Sequence, residues 1–443
     1  MLLQAISNFF STYHSKQTFW LGYSGGLDSR VLLALCARYH QMTPIQLKVI
    51  HIHHGLHPHA DVWALHCADI CKHYNFDFIE HAIQIKLHPG DSLEEIAREE
   101  RYSVFANYMA DGDVLLTAHQ QDDQAETVLL QLLRGAGLKG LAAMPLVTTF
   151  SRGFHARPLL DFPRVTLQHY AEQYQLKWID DPSNEDHRFM RNYIRQEILP
   201  RLKQRWPKAT HLLARSAAHC AEAQVLLEDM SKTIRVKTAG SQVNTLSVAK
   251  LLHLDQAKQR LVLRTWLSKL ACLMPDQKKL TSICQTVLLA KHDRMPCVRW
   301  HNVELRRFRD DLYLVPQLLP HDTQQVLDWD MTKPLSMPGL GMLTAVLNKG
   351  NGLRVDIKRV SVRFRCGGEA YHLGKRGKQY LKNLFQEWGV PPWERNRIPL
   401  IFVGEQLAMV LGYYLADDFA VKQDEMGYEI GFVTGELQIN LKS

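Results

Sequence analysis

The sequence predicts an α/β fold: a doubly wound parallel sheet near the start, a helical middle domain, and a small mixed α+β domain at the end. Three observations support this division. Short apolar runs alternate with helical patterns over about the first 160 residues, amphipathic helices follow to residue 292, and short strands return from about residue 343. Alternation of strand and helix is typical of βαβ units, whose parallel sheet is covered on both faces.

Four strand–helix pairs are predicted in the first domain. The strand-like segments are TFWLGYS, IQLKVIHI, DFIEHAI and DVLLTAH, and they precede the helical patterns RVLLALCARYH, ADVWALHCADICKHY, SLEEIAREERYSVFANYMA and DDQAETVLLQLLRG. Parallel strands of this kind are joined by right-handed crossovers in nearly all known cases. We expect this domain to span residues 1–215.

Helical periodicity dominates the next part, which we expect to form a middle domain over residues 216–325. The stretch QLLPHDTQQVLDWDMTKPLSMPG is predicted to be a linker after a short β-type segment. The last domain, residues 335–443, is predicted to combine short strands (LRVDI, VSVRFRC, PLIFVG, LAMVLGYYL) with one helix, KQYLKNLFQEWG.

Composition places the 443-residue chain among globular proteins, with 46% hydrophobic and 22% charged residues. The net charge of +8 suits an anionic partner such as RNA, DNA or an acidic membrane surface, although solubility alone is the alternative explanation. The eight cysteines form no C-x-x-C pair, which argues against a disulfide scaffold or a thiolate zinc site. Without a signal peptide pattern or an apolar run long enough to span a bilayer, we expect a cytoplasmic protein.

The segment SGGLDS lies between the first predicted strand and helix, where backbone N–H groups can bind phosphate. It lacks the lysine of the G-x-x-x-x-G-K-[ST] loop and does not match G-x-G-x-x-G. Asp28 suits a bound Mg²⁺ ion that bridges to phosphate oxygens. The alternative is a helix start capped by Ser24 or Ser29.

SGGLDS resembles the S-G-G-x-D-S loop of the PP-loop ATP pyrophosphatases, which have an adenine nucleotide alpha hydrolase-like fold. These enzymes cleave ATP between its α- and β-phosphates and transfer AMP to a substrate. The resemblance implies that ATP is a substrate, that Asp28 is catalytic and holds Mg²⁺, and that the nucleotide contacts the six residues of the loop, Ser24, Gly25, Gly26, Leu27, Asp28 and Ser29.

In the stretch TAHQQDDQAETVLLQLLRGAG, Asp123 and Glu126 are three residues apart and share one helix face. Such a pair suits an ammonium group or a metal ion, and favourable interaction with the helix dipole is the alternative. The stretch resembles the A-H-x-x-D-D-x-x-E-T signature of tRNA(Ile)-lysidine synthetases and related PP-loop tRNA enzymes. The resemblance implies that both acids hold the lysine substrate, and that His119 and Arg134 support the cleft.

Two further segments carry arginines. SLEEIAREERY resembles the family's E-x-x-A-R-x-x-R-Y helix, which implies that Arg98 lies near the cleft; a surface helix with charge pairs is the alternative. DDPSNEDHRFMRNYIR resembles the D-x-S-N-x-x-x-x-x-x-R-N-x-I-R segment, with Asn192 as a supporting residue. Arg191 and Arg195, one turn apart, are then expected to be catalytic through stabilisation of phosphate charge, rather than to form a solvated basic face.

Residues 361–400 contain eight basic and three acidic residues. A solvated face is the usual explanation, but this concentration of charge favours contact with a phosphate backbone. The segments RFRCGGE and LKNLFQEWGVPPWERNRIPLIFVG resemble the C-terminal domain of the longer lysidine synthetases, which implies tRNA binding away from the anticodon. The residues expected to contribute are Arg363, Arg365, Lys375, Arg376, Lys378 and Lys382.

The resemblance as a whole implies the reaction of the lysidine synthetases. ATP adenylylates carbon 2 of the wobble cytidine in the CAU anticodon of tRNA(Ile), and an amino group of free L-lysine then displaces AMP. The implied partners are this tRNA, ATP and L-lysine, with no membrane, and the sequence leaves open whether the chain forms a homodimer. Two alternatives are a thiolation enzyme that acts on tRNA and a tRNA-binding protein without activity.

Overall fold

The computed structural model describes residues 1–13, 17–53, 59–83, 93–182, 186–187, 189–291, 294–372 and 377–434. The chain divides into two compact units, Met1–Asp229 and Met230–Ser443. The predicted domain limits 1–215, 216–325 and 335–443 stay predictions.

A six-stranded sheet forms the centre of the first unit, in the order β3-β2-β1-β4-β6-β5. The first five strands in this order run parallel, and β5 pairs with β6 antiparallel at one edge. All four predicted strands are present, and the β5–β6 hairpin is an addition. The strands are β1 Thr18–Gly22, β2 Gln46–His53, β3 Asp77–Ala82, β4 Val114–Leu116, β5 Val147–Phe150 and β6 Gly153–Ala156.

Helices cover both faces of this sheet, which confirms the doubly wound arrangement. Side chains along β1 alternate between the two layers: Phe19 and Leu21 join a core with helices α1, α2, α3 and α7, and Trp20 packs with α4. The helices are α1 Leu2–Phe10, α2 Leu27–Met42, α3 Ala60–His73, α4 Leu93–Tyr108, α5 Gln121–Leu133, α6 Leu138–Leu141, α7 Arg164–Gln173, α8 Met190–Tyr193, α9 Leu199–Arg205 and α10 Ala209–Lys237. A π-helical segment, Ile194–Ile198, joins α8 to α9.

The second unit begins with the predicted helical region. Helices α11 Val248–Leu252, α12 Gln256–Lys269 and α13 Gln277–Ser282, with the π-helical segment Ile283–Val287, pack on a four-stranded antiparallel sheet. Only one β-type segment is predicted here from the sequence. The sheet has the order β7-β10-β9-β8, from β7 Leu246–Ser247, β8 Cys297–Trp300, β9 Val303–Phe308 and β10 Asp311–Pro316.

Two larger antiparallel sheets, β11-β15-β18-β19-β20 and β12-β13-β21-β14, and the β16–β17 pair make up the rest of this unit. Helices α14 Leu381–Glu387 and α15 Pro392–Arg395 accompany them. The strands are β11 Leu327–Asp330, β12 Leu335–Met337, β13 Gly341–Lys349, β14 Leu353–Arg354, β15 Arg359–Arg363, β16 Ala370–His372, β17 Lys378–Tyr380, β18 Leu400–Val403, β19 Gln406–Val410, β20 Tyr414–Leu415 and β21 Met426–Thr434.

Two predictions about this region were wrong. The predicted linker contains strands β11 and β12. The predicted helix KQYLKNLFQEWG begins only at Leu381, because Lys378–Tyr380 pairs with β16 as a strand. Over the described ranges, every helix is too short or too polar to cross a bilayer.

Candidate active site

The loop Ser24–Ser29 connects β1 to α2. Gly25 has a φ of +83°, a conformation that favours glycine, and a Cβ atom there would come within 2.7 Å of Ile179 Cδ1. Within the part of the chain that the structure describes, no side chain caps α2, which begins after Gly26. The first-turn N–H groups are therefore available to a ligand, which favours phosphate binding over a capped helix start.

Asp28 belongs to this loop and lies in the first turn of α2. Its Oδ1 atom is buried and has no hydrogen-bond partner among the described residues. Burial, followed by the nearby carboxylate of Asp123, raises the pKa of Asp28 to about 7. A buried carboxylate oxygen without a partner fits a divalent cation, because a hard cation prefers oxygen ligands.

Two acids and two arginines form a compact ion-pair cluster. Arg195 donates from Nε to Glu126 Oε1 at 2.7 Å and from Nη2 to Asp123 Oδ1 at 2.9 Å. Arg191 donates from Nε to Glu126 Oε2 at 2.9 Å. Burial alone would lower the pKa of both arginines, but the two carboxylates more than offset this and raise it. The cluster is thus electrically balanced.

The acids also fix the start of α5. Asp123 Oδ2 accepts from the backbone N–H of Gln120 at 3.0 Å, and the Gln120 side chain accepts from the N–H of Asp122. The neighbouring Asp122 accepts from the backbone N–H of Arg164 at 3.0 Å and pairs with Lys203 on α9. These acids therefore stabilise the start of α5 and also form ion pairs.

A cavity of about 610 Å³ lies next to the loop and the cluster. Apolar and aromatic side chains from β2 and α4 line it together with polar and charged groups. Arg195 lines the cavity and also belongs to the ion-pair cluster, so it connects the two. The lining residues include Ser24, Gly26, Asp28, Ser29, Ile50, Ile52, Arg101, Tyr102, Phe105, Thr117, His119, Arg164, Asp180 and Arg195.

A chain of hydrogen-bonded side chains, which no sequence motif indicates, ends at His119. Thr117 Oγ1 lies 2.8 Å from His119 Nδ1 and 2.8 Å from His155 Nε2. Arg157 Nη2 donates to His155 Nδ1 at 3.0 Å, and its Nη1 donates to the Pro145 carbonyl at 2.8 Å. His155 and Arg157 are buried, with 2% and 5% of their surface exposed, whereas Thr117 and His119 line the cavity.

Comparisons with known proteins agree over nearly the whole chain. Three families match: the PP-loop domain at residues 2–202, the TilS substrate binding domain at residues 246–313 and the TilS substrate C-terminal domain at residues 360–432. The tRNA(Ile)-lysidine synthase of Coxiella burnetii is 40% identical over 96% of both chains. That of Methylococcus capsulatus is 41% identical over 94% of this chain and 96% of its own.

The chain belongs to the tRNA(Ile)-lysidine synthase family. Among solved structures, the U34-tRNA thiolase NcsA from Methanococcus maripaludis is 16% identical, with a TM-score of 0.42, over 50% of this chain and 78% of that one.

The predicted supporting residues of this lysidine synthase family member differ in their surroundings. Arg98 is exposed and stacks on Tyr102, with its guanidinium 5.0 Å from the ring centroid, while its neighbour Arg101 lines the cavity. Asn192 donates to the Asp186 carbonyl at 3.0 Å. Arg134 is exposed at the far end of α5, about 12 Å along the helix axis from Glu126.

The predicted tRNA-binding residues of the lysidine synthase family member differ in their surroundings. Lys378 and Lys382 are exposed. Arg363 instead donates two hydrogen bonds to Glu405, and Arg365 donates one to Asn396. Lys375 and Arg376 lie outside the described residues.

Two basic residues counted in the same stretch are structural. Arg395 donates to the Val390 carbonyl, and Arg397 donates to the carbonyls of Leu319 and Gly339; both arginines are buried. The local excess of positive charge therefore overstates the basic surface of this region.

Proposed function

We propose that this chain converts the wobble cytidine of a CAU-anticodon tRNA(Ile) to lysidine. The O2 atom of cytosine attacks the α-phosphorus of ATP and pyrophosphate leaves. An amino group of free lysine then attacks carbon 2, loses a proton, and AMP leaves with the former O2. The observation that carries this proposal is Arg195, which lines the cavity beside the Ser24–Ser29 loop and pairs with Asp123 and Glu126.

The loop would hold the phosphates of ATP. Its uncapped N–H groups supply donors at the N-terminus of α2, and the Ser29 hydroxyl holds the turn by donating to the Gly26 carbonyl at 3.0 Å. Arg195 is held by two carboxylates, so its guanidinium is fixed before substrate arrives. A preorganised cation of this kind stabilises charge on a phosphoryl group in the transition state without further reorganisation.

Asp28 would hold Mg²⁺ through its unpartnered Oδ1 atom. The ion, when bound, would neutralise charge on the pyrophosphate leaving group. Asp28 itself must then be ionised, whereas burial holds its pKa at about 7. We therefore expect ion binding and loss of the Asp28 proton to be coupled.

Asp123 and Glu126 would bind the substrate lysine. Glu126 has no exposed surface and each of its oxygens accepts from an arginine, so a substrate ammonium must displace one of these cations. Such an exchange replaces one charge-assisted hydrogen bond by another and leaves the cluster balanced. Arg191 is the cation to be displaced, because it donates one hydrogen bond to these carboxylates whereas Arg195 donates three.

The second unit would bind the tRNA through exposed basic side chains such as Lys378 and Lys382. A reaction that consumes ATP, lysine and tRNA belongs in the cytoplasm, where these substrates are made.

An assay with the full chain, ATP, Mg²⁺, labelled lysine and CAU-anticodon tRNA tests the proposal. We expect lysine-dependent AMP release with label in the tRNA, and none with Asp28→Ala, which should still bind tRNA. Bound tRNA without label would show a binding protein instead. Sulfur incorporation from an added donor would show a thiolation enzyme.

A further inference from the structure

The direction of each hydrogen bond in the chain from Arg157 to His119 follows from its chemistry. A guanidinium has donors only, so His155 Nδ1 must accept from Arg157 Nη2 at 3.0 Å. Burial, followed by the charge of Arg157, lowers the pKa of His155 to about 2, which leaves the ring neutral. The one proton of this neutral ring is then on Nε2.

The same reasoning extends to the cavity. His155 Nε2–H donates to Thr117 Oγ1 at 2.8 Å, so the single hydroxyl proton of Thr117 is left to donate to His119 Nδ1, also at 2.8 Å. His119 Nδ1 therefore accepts, and the proton of the neutral His119 ring is on Nε2.

We propose that Arg157 acts through His155 and Thr117 to hold His119 in its Nε2–H form, so that the ring donates a hydrogen bond to a phosphate oxygen of the substrate. Arg157, His155 and Thr117 are positioning residues in this arrangement. The tautomer of His119 is a property of the free protein. Only the use of its Nε2–H donor in the reaction rests on the proposed function.

The charges around His119 support both the neutral ring and the type of ligand. Burial, followed by four nearby arginines, holds the pKa of His119 well below its usual range; these are Arg191, Arg157, Arg98 and Arg101. A neutral donor surrounded by cations favours an anionic oxygen over a cation or an apolar group. ATP and the tRNA backbone both offer such oxygens.

Nitrogen NMR of the full chain labelled with ¹⁵N-histidine measures the tautomer directly. The His119 signals are assigned by their loss in His119→Asn. We expect an unprotonated Nδ1 and a protonated Nε2 that stay unchanged from pH 5 to pH 8. A protonated Nδ1, or titration within this range, would overturn the inference without any need for a second variant.

Thr117→Val and Thr117→Ser form a matched pair, because only the serine variant keeps the hydroxyl. We expect Thr117→Val to give mixed tautomers at His119 and to lower kcat by roughly 10²-fold. Thr117→Ser should restore the single tautomer and most of kcat. A wild-type pattern of His119 nitrogen signals in Thr117→Val would contradict the role of the hydrogen bonds from Arg157 to His119. A changed pattern with undiminished kcat would also contradict it.

Separate additions of Mg–ATP and of tRNA to the wild-type protein identify the source of the phosphate oxygen. A shift of the His119 Nε2–H signal with Mg–ATP alone identifies the nucleotide, and a shift with tRNA alone identifies the RNA backbone. No shift with either, or with both together, would refute the donor role. None of these signal shifts requires lysidine formation. A failure of the proposed function would therefore be distinguishable from a failure of this inference.

Discussion

Arg195 donates a hydrogen bond from Nε to Glu126 Oε1 over 2.7 Å, and Glu126 has no exposed surface. Arg191 donates to the other oxygen of the same carboxylate at 2.9 Å. Removing one member of a buried pair leaves the others uncompensated in a poorly solvated site. The cluster therefore contributes to the stability of the first unit as well as to its chemistry.

Replacing this buried carboxylate should destabilise the protein. We expect Glu126→Gln to lower the free energy of unfolding of the first unit by about 3 kcal/mol, since Asp123 alone is then left to balance the charges of Arg191 and Arg195. Glu197→Gln is the matched control: Glu197 pairs at 3.2 Å with Arg201, whose side chain is 78% exposed. Glu197→Gln should lower the free energy of unfolding by less than about 1 kcal/mol. Equal losses in urea unfolding would show that the cluster is not a buried network.

Asp123 allows the lysine-binding role to be separated from the structural one. Asp123→Asn keeps an acceptor for the Gln120 N–H but loses the charge. We expect the KM for lysine to rise by about 10- to 100-fold, which corresponds to one lost charge-assisted hydrogen bond. The KM for ATP should change little. Asp161→Asn, an exposed acid before α7, serves as the control. A fall in kcat with an unchanged lysine KM would mean that Asp123 only positions Arg195.

Asp28 should make stability depend on pH in the direction opposite to most acids. Its pKa is about 7 in the folded protein against 3.8 as the ordinary value, so the folded state binds the proton more tightly. Stability from this group is therefore full below about pH 4 and is lost as the pH rises towards 7. We expect Asp28→Asn to raise the melting temperature at pH 8 by more than at pH 5, measured by calorimetry without nucleotide or metal. A lower melting temperature of the variant at pH 8 would show that nearby cations, not burial, dominate at Asp28.

The sequence predicted the parts of the fold and site that depend on local pattern. SGGLDS indicated a strand–loop–helix junction, and the three-residue spacing of Asp123 and Glu126 placed both acids on one helix face. Contacts between residues far apart in the chain were harder to predict. Thr117 meets His155 because β4 and β6 are neighbours with Leu116 opposite Ala156, and sequence periodicity does not reveal the order of strands.

Burial of charge was also hidden from sequence reasoning. Arg395 and Arg397 look like surface residues by type, but both are buried and their guanidinium groups donate to backbone carbonyls. Strands β13 and β21 pair over nine residues although they are far apart in the chain, so no local pattern indicated this pairing.

Lys378 and Lys382 provide the test of the proposed tRNA surface in the second unit. Both are exposed, one on β17 and one on α14. If each contacts a phosphate, the double variant Lys378→Ala/Lys382→Ala should weaken tRNA binding and reduce the slope of log K against log salt by about 1.5. Lys349→Ala is the control, because Lys349 is also exposed but lies on β13 beside Asp424. Filter binding from low to moderate salt measures both slopes, and the same reduction in both variants would indicate a general charge effect rather than contacts at these two lysines.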